Sequence, residues 1–369
     1  MPTQERHSDD DPTEVIERIP APRRSPDPGT AEPANAVPSH AAPKKRLGRK
    51  ARTTLFILSA LAVLIVATVG GTALWLESVA SGVKRVDAFD GVPAADRPQK
   101  AEAAKDAMNF LLLGSDSRNP DTPDGSRSDT IIVLHIDKAH AKAQLVSIPR
   151  DTWVYVPKAP GSQHGNTEAK INAAFAWGGV PGVVQTVEKF TNLRIDHVVM
   201  VDFSGFKEIV DALGGVDINV SESFTSTHSL DPSGTRHFEK GLQTMDGATA
   251  LDYARERYAF QDGDFARIRH QQQVIKAVLN KAASGGTLSS PGKLNDFLRA
   301  TADAATVDDT LNMFDMAMEL RNIRGDDVTA YTSPTKGTGM IGDESVVLAD
   351  TEKVKPFYDA LREDRPLPA

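Results

Sequence analysis

The chain has 369 residues, with 42 Lys or Arg against 50 Asp or Glu, and its formal net charge of −8 argues against a general nucleic-acid binder. It contains no cysteine, which excludes disulfide frameworks, zinc–thiolate sites, iron–sulfur clusters and cysteine nucleophiles together.

Residues 1–43 hold nine of the 23 prolines and no long apolar run. Such a segment cannot bury enough apolar surface to offset its ordering entropy, so a disordered tail is expected over 1–52. Its last part, KKRLGRKAR at 44–52, is a basic collar with six positive charges. Residues 53–76 carry no charge, and the 22 residues Leu55–Leu76 would form a helix about 33 Å long. That length crosses a hydrocarbon core of roughly 30 Å, with Trp75 near the far interface. Basic residues flank only the N-terminal side, which predicts a cytoplasmic N-terminus and an extracytoplasmic remainder in a single-pass cell-membrane protein. Ser78-Val79-Ala80 has the small-x-small form of a signal cleavage site. The apolar run, however, is longer than the roughly 7–15 residues of a signal peptide, which favours an uncleaved anchor. Residues 77–369 contain 32 basic and 42 acidic residues, a formal charge of −10.

Residues 77–107 are polar and read as a linker into a domain spanning 108–369. Within it, 109–113, 130–137, 143–148, 197–201 and 216–220 have the apolar or β-branched character and length of strands. Helices are expected over 203–213, ended by Gly214-Gly215, and over 247–257 and 269–283, with an interrupted helix over 171–191 at GGVPG. Strands alternating with helices predict an α/β/α sandwich around a mixed central sheet.

The chemically suggestive residues fall at the ends of these elements. GSDSR (114–118) follows the first strand and RSD (127–129) precedes the second. If those strands are antiparallel neighbours, Asp116 and Asp129 share a sheet edge, and two carboxylates there suit a hard cation such as Mg²⁺. Aspartates in ordinary turns are the other reading. Arg150 stands just after the third strand, Arg255 and Arg257 lie two residues apart, and Arg267 and Gln271 share a face if their segment is helical. Arginine forks bind phosphate oxygens in pairs, so these residues suggest a pyrophosphate site, against the alternative of surface arginines paired with carboxylates.

The ordered segments NFLLLGSDSR, RSDTIIVLHID, SIPRD, KINAAFAWGG, DHVVMVDFSGFKEIVDALGGVDI, GLQTMDGATALDYARER and GDFARIRHQQQ, between about 108 and 283, together resemble the LytR–CpsA–Psr family. The resemblance implies a transferase that moves a glycopolymer from a polyprenyl-pyrophosphate carrier to peptidoglycan, at the muramic acid C6 hydroxyl. It implies metal-binding aspartates at Asp116 and Asp129, with Mg²⁺ or Mn²⁺ as the cofactor. Arg127, Arg150, Arg255, Arg257, Arg267 and Gln271 match the pyrophosphate-contacting set. Asp116, Asp129, Arg150, Arg255 and Arg267 form the expected catalytic group. Asp151, Lys170 and Asp264 fall within family motifs without an assigned role. His270 stands where the family often has Arg, so a weaker or pH-dependent supporting contact is expected there. Implied partners are the lipid-linked polymer, peptidoglycan and the lipid bilayer, with no nucleic acid. Among Ile171, Phe175, Val187, Phe203 and Phe206, some would line an apolar channel for the carrier and the rest would be core. A polyprenyl-pyrophosphate phosphatase or hydrolase would need the same site. A membrane-bound transcriptional regulator would need a DNA-binding fold, which residues 1–52 do not offer.

Overall fold

The computed structural model describes residues 82–95, 97–115, 128–284, 291–312, 316 and 323–368. The expected tail and collar (1–52), the span 53–76, Asp116 and Arg127 lie outside these residues. Among the described residues no helix is long and apolar enough to cross a membrane.

In chain order, β1 (Lys84–Val86) lies within the stretch read as a linker and precedes β2 (Met108–Ser115), β3 (Ser128–Ile136) and β4 (Ala143–Ile148). The hairpin β5 (Trp153–Val156) and β6 (Thr167–Lys170) leads into α1 (Ala173–Thr191). Next come β7 (His197–Asp202), α2 (Phe203–Ala212), β8 (Val216–Val220), β9 (Phe224–Ser226), β10 (Arg236–Phe238) and β11 (Gly241–Met245). They are followed by α3 (Gly247–Arg255), α4 (Asp264–Ala282) and α5 (Pro291–Ala304). The last elements are β12 (Ala305–Asp308), β13 (Val328–Thr332), β14 (Thr335–Ile341), β15 (Glu344–Ala349) and α6 (Thr351–Arg362).

Seven strands form one mixed sheet in the order β1-β12-β7-β2-β3-β4-β13. Their side chains alternate between two apolar faces, as a sheet covered on both sides requires. Leu111, Leu113, Ile131, Val133, Val146 and Ile148 face α1 and α6. Phe110, Ile132, Leu134 and Leu145 face the other way, toward α4 and α5. A third apolar cluster joins α2, α3 and α4 to β8 and β11. The expected layered α/β architecture is therefore present in the described residues.

Local chemistry sets the element boundaries. Asp202 caps α2 by accepting a 2.7 Å bond from the Gly205 amide, and Asp246 caps α3 through the Thr249 amide at 2.8 Å. Gly214 and Gly215 stop α2 at φ of 74° and 89°. The interruption expected at GGVPG is real: Gly179 takes φ 58°, ψ −152° inside α1, two residues before Pro181. The sequence reading places the start of α4 at Arg269, but the helix begins at Asp264. Gly263 is the N-cap and Asp264 opens the first turn.

Candidate active site

The carboxyl ends of β2, β4 and β7 and the amino end of β3 meet at one edge of the sheet. This follows from the antiparallel β2–β3 and β3–β4 pairs and the parallel β2–β7 pair. The β2–β3 register jumps from Gly114↔Thr130 to Ser115↔Ser128, a bulge that leaves Asp129 unopposed. Arg150 leaves β4 at this edge, and Phe203 follows β7 there. Arg255 ends α3, and α4 begins nine residues later.

These ends enclose a cleft of about 200 Å³ whose walls include Asp129, Arg150, Arg255, Arg257, Arg267 and Gln271. Of the eight residues expected in the site, the structure brings these six together, and Asp116 and Arg127 lie outside the described residues. Arg267 and Gln271 do share a helix face, because α4 covers both.

Asp264, left without a role by the sequence, is the hub. Its Oδ2 lies 3.6 Å from Arg150 Nε and 3.3 Å from Arg267 Nη2, and its Oδ1 lies 3.3 Å from Arg257 Nη1. Asp129 pairs with Arg150 Nη1, and Asp151 lies 3.6 Å from Arg150 Nε. Arg255 instead packs its guanidinium over the Phe203 ring, 4.7 Å from the centroid. Lys170 points to another partner, Glu344, at 3.2 Å.

Burial and neighbouring charges act differently on the arginines of this network. Burial pulls the Arg267 pKa below its ordinary value, Asp264 opposes that, and Arg150 and Arg257 add repulsion. Arg150 goes the other way: burial works against its charge, but Asp129, Asp264 and Asp151 together raise its pKa. The buried Arg150 Nε, Arg255 Nη1 and Arg267 Nε have no hydrogen-bond partner among the described residues. Buried donors left unmade cost on the order of 1–3 kcal/mol each, so their convergence on one cleft fits an anion with several oxygens.

The cleft joins an apolar cavity. A hollow of about 250 Å³ lies between the sheet and helices α2, α3 and α4, walled by residues such as Leu112, Ile132, Val199, Ile209, Ile275 and Leu279. Thr130, Phe203, Arg255 and Gln271 belong to the walls of both spaces. As a sealed void it would cost roughly 6 kcal/mol at about 24 cal/mol per Å³, so a fold that keeps it open has a use for it. Of the apolar residues considered for a channel, Phe203 and Phe206 line this cavity. Ile171, Phe175 and Val187 are core against the opposite sheet face.

His270 does not reach the cleft. Its ring sits 4.2 Å from Tyr253 and 5.0 Å from Phe260 by centroid, and burial pushes its pKa down to about 4. The expected pH-dependent contact to the site is therefore absent. The neighbouring Gln272 ties α4 to the sheet through Ser147 Oγ (2.9 Å) and the Tyr331 carbonyl (2.8 Å). Two further buried carboxylates were missed. Asp252 accepts the Leu230 amide at 2.9 Å and Arg236 Nε at 2.8 Å, and Glu256 Oε1 accepts the amides of residues 257, 258 and 259 at 2.6–3.0 Å. Their spacing of four on the ALDYARE stretch was the only sequence signal for them.

The described residues thus form an α/β sandwich with an arginine-lined cleft that opens onto an apolar cavity. Residues 77–363 match the LytR_cpsA_psr family, and the chain belongs to that family. It is 29% identical over 364 residues to the cell wall biosynthesis protein LcpA of Corynebacterium glutamicum, covering 88% of this chain and 68% of that one. It is 33% identical over 247 residues to the polyisoprenyl-teichoic acid–peptidoglycan teichoic acid transferase TagV of Bacillus subtilis. That match covers 67% of this chain and spans 62% of TagV, less than two thirds of its length. The crystal structure of B. subtilis TagV superposes with a TM-score of 0.59 at 26% identity, covering 72% of this chain and 99% of that one. A structure of TagT bound to LIIa-WTA superposes with a TM-score of 0.58 at 25% identity, covering 76% and 99%.

Proposed function

We propose that this chain transfers a glycopolymer from a polyprenyl-pyrophosphate carrier to a hydroxyl of peptidoglycan, at muramic acid C6, in cell wall assembly. The observation that carries this reading is the apolar cavity that shares Thr130, Phe203, Arg255 and Gln271 with the arginine cleft. One substrate with a hydrocarbon tail and a pyrophosphate head fits both spaces at once. The names of relatives such as TagV, as a polyisoprenyl-teichoic acid–peptidoglycan teichoic acid transferase, support the same reaction class.

In this reaction the acceptor hydroxyl oxygen attacks the polymer-side phosphorus. A new P–O bond forms, the bond to the bridging oxygen breaks, polyprenyl phosphate leaves, and the hydroxyl proton passes to a base. Phosphoryl transfer gains most from positioning and from neutralising charge on the equatorial and leaving oxygens. Arg150, Arg257 and Arg267, held in register by Asp264, present their forks to those oxygens. Arg255 stands where tail and head spaces meet and faces the leaving phosphate.

A divalent cation, Mg²⁺ or Mn²⁺, belongs to the proposal. Among the described carboxylates of the cleft, Asp252, Glu256 and Asp264 are already engaged by several donors. Asp129, unopposed at its bulge and touching only Arg150 in this set, fits as a hard oxygen ligand, with Asp116 as its partner. Bound there, such an ion would offset negative charge on the transferred group. We also place the chain at the cell membrane, anchored by 53–76, with the domain outside.

The test is incubation of the protein with lipid-linked polymer and peptidoglycan oligosaccharide. The expected product is a phosphodiester-linked conjugate with free polyprenyl phosphate. Free polymer phosphate without conjugate would instead establish the phosphatase or hydrolase reaction.

A further inference from the structure

Part of the cleft wall is not shared with the apolar cavity, and it includes Ser226, His228, Glu256, Arg257 and Tyr258. In-line displacement at phosphorus places the attacking oxygen opposite the leaving group. With the lipid phosphate leaving toward the cavity, the attacking hydroxyl arrives from a side of the cleft that the cavity does not share.

An exposed aromatic pair stands there. Tyr258 is 58% exposed, and its ring stacks on His228 with centroids 4.1 Å apart and planes at 26°. The fold holds this pair in place from beneath. Asp252 and Glu256, four residues apart on α3 and its cap, are both 2% exposed. Asp252 anchors the β9–β10 loop through Ser229 and the Leu230 amide, and Arg236 joins it. Glu256 takes the Tyr258 amide at 2.6 Å and a bond from Ser226, and these bonds outweigh burial to keep its pKa low. Buried charges are expensive unless bonded, and the bonds these two carboxylates make run to the segments that carry the rim. The pair is also wired to the phosphate site: Arg257 Nη2 donates to the Tyr258 hydroxyl at 2.5 Å, and its guanidinium lies 4.6 Å from the ring centroid.

We propose that His228 and Tyr258 form the platform on which a sugar ring of the acceptor glycan stacks, so that its hydroxyl meets the phosphorus beside Arg257. This rests on the transferase reading for the identity of the acceptor as a saccharide. A pyranose presents an apolar C–H face that packs against the face of an aromatic ring, and both rings of this pair belong to exposed residues. Both residues are positioning residues for the acceptor and do not touch the reacting atoms.

The experiment measures binding of a peptidoglycan oligosaccharide to the full-length protein by calorimetry, with thermal unfolding as the check on folding. Tyr258→Ala and His228→Ala should each weaken binding by about tenfold, the scale of one aromatic contact. Tyr258→Phe keeps the ring and should bind like wild type. In the transfer assay, His228→Ala should raise the acceptor KM and leave the KM for the lipid-linked donor unchanged. Alanine variants that fold and bind the oligosaccharide as tightly as wild type would overturn the platform, as would a wild-type protein that binds none. If binding follows the expected pattern but no conjugate forms, the platform stands and the transferase reading falls.

Discussion

At the scale of single residues, the cleft is built on three arginines, Arg150, Arg257 and Arg267, that converge on one shared carboxylate, Asp264. Arg267 is the most exacting case, because it is 7% exposed and its Nε has no partner among the described residues. Arg267→Ala, and likewise Arg255→Ala, should cost about 2–4 kcal/mol of transition-state stabilisation, read as kcat/KM for polymer transfer. Near-wild-type transfer by both would sink the clamp. His270 gives a stability prediction instead. An unfolded histidine takes its proton near pH 6.5, but burial holds the folded one down to about 4. The unfolded state therefore binds the extra proton between those values. Stability is full above pH 6.5, falls by up to about 3 kcal/mol as pH drops toward 4, and levels off below. Urea unfolding at pH 7 and pH 4.5 should show that His270→Phe loses a large part of this drop. An unchanged pH slope would show that the buried ring is not its source. The arginines were legible from the sequence because their motifs are local. The Asp264 hub was not, because it exists only where β4, the loop after α3 and the start of α4 converge.

At the scale of elements, β2, β3, β4, β7 and β8 were legible because each is a short apolar or β-branched run, whereas short polar strands such as β6 and β10 were not. The 143–148 and 216–220 strands match their expected limits. Function-bearing apolar residues were not legible, since a cavity wall and a core share one composition. Phe206 and Phe175 look alike in sequence, and only packing sends one to the cavity and the other to the α1 core. Helix α1 offers a clean test of the backbone. Gly179, at φ 58° and ψ −152°, occupies a region that L side chains rarely adopt, although an added Cβ would meet nothing closer than Pro181 at 3.9 Å. Gly179→Ala should therefore destabilise through strain alone, by about 1–3 kcal/mol in denaturant unfolding. Because α1 lies on the sheet face away from the cleft, transfer per folded molecule should not change.

At the scale of the whole molecule, the sequence divides into a proline-rich tail, a charge-free stretch and an acidic domain, and the proposed topology follows from that division. A reporter fused after residue 100 should be active only if it folds outside the cytoplasm. An inactive fusion, with protease protection of this region in intact cells, would reverse the orientation. The hollow beside the cleft has its own consequence. Its α4 wall runs from Gln271 to Leu279, eight residues or about 12 Å along the helix. That is less than half of a hydrocarbon core of roughly 30 Å. A long carrier chain could be drawn in only by its head end, with the remainder still dissolved in lipid. Withdrawing a hydrocarbon from the bilayer costs about 0.8 kcal/mol per methylene when water replaces lipid, so the short hollow limits how much of that cost each turnover can incur. For the proposed lipid-linked substrate, the depth of the hollow would thus set a working distance: the enzyme would operate at the bilayer surface, and the spent carrier would slide back without ever having left it.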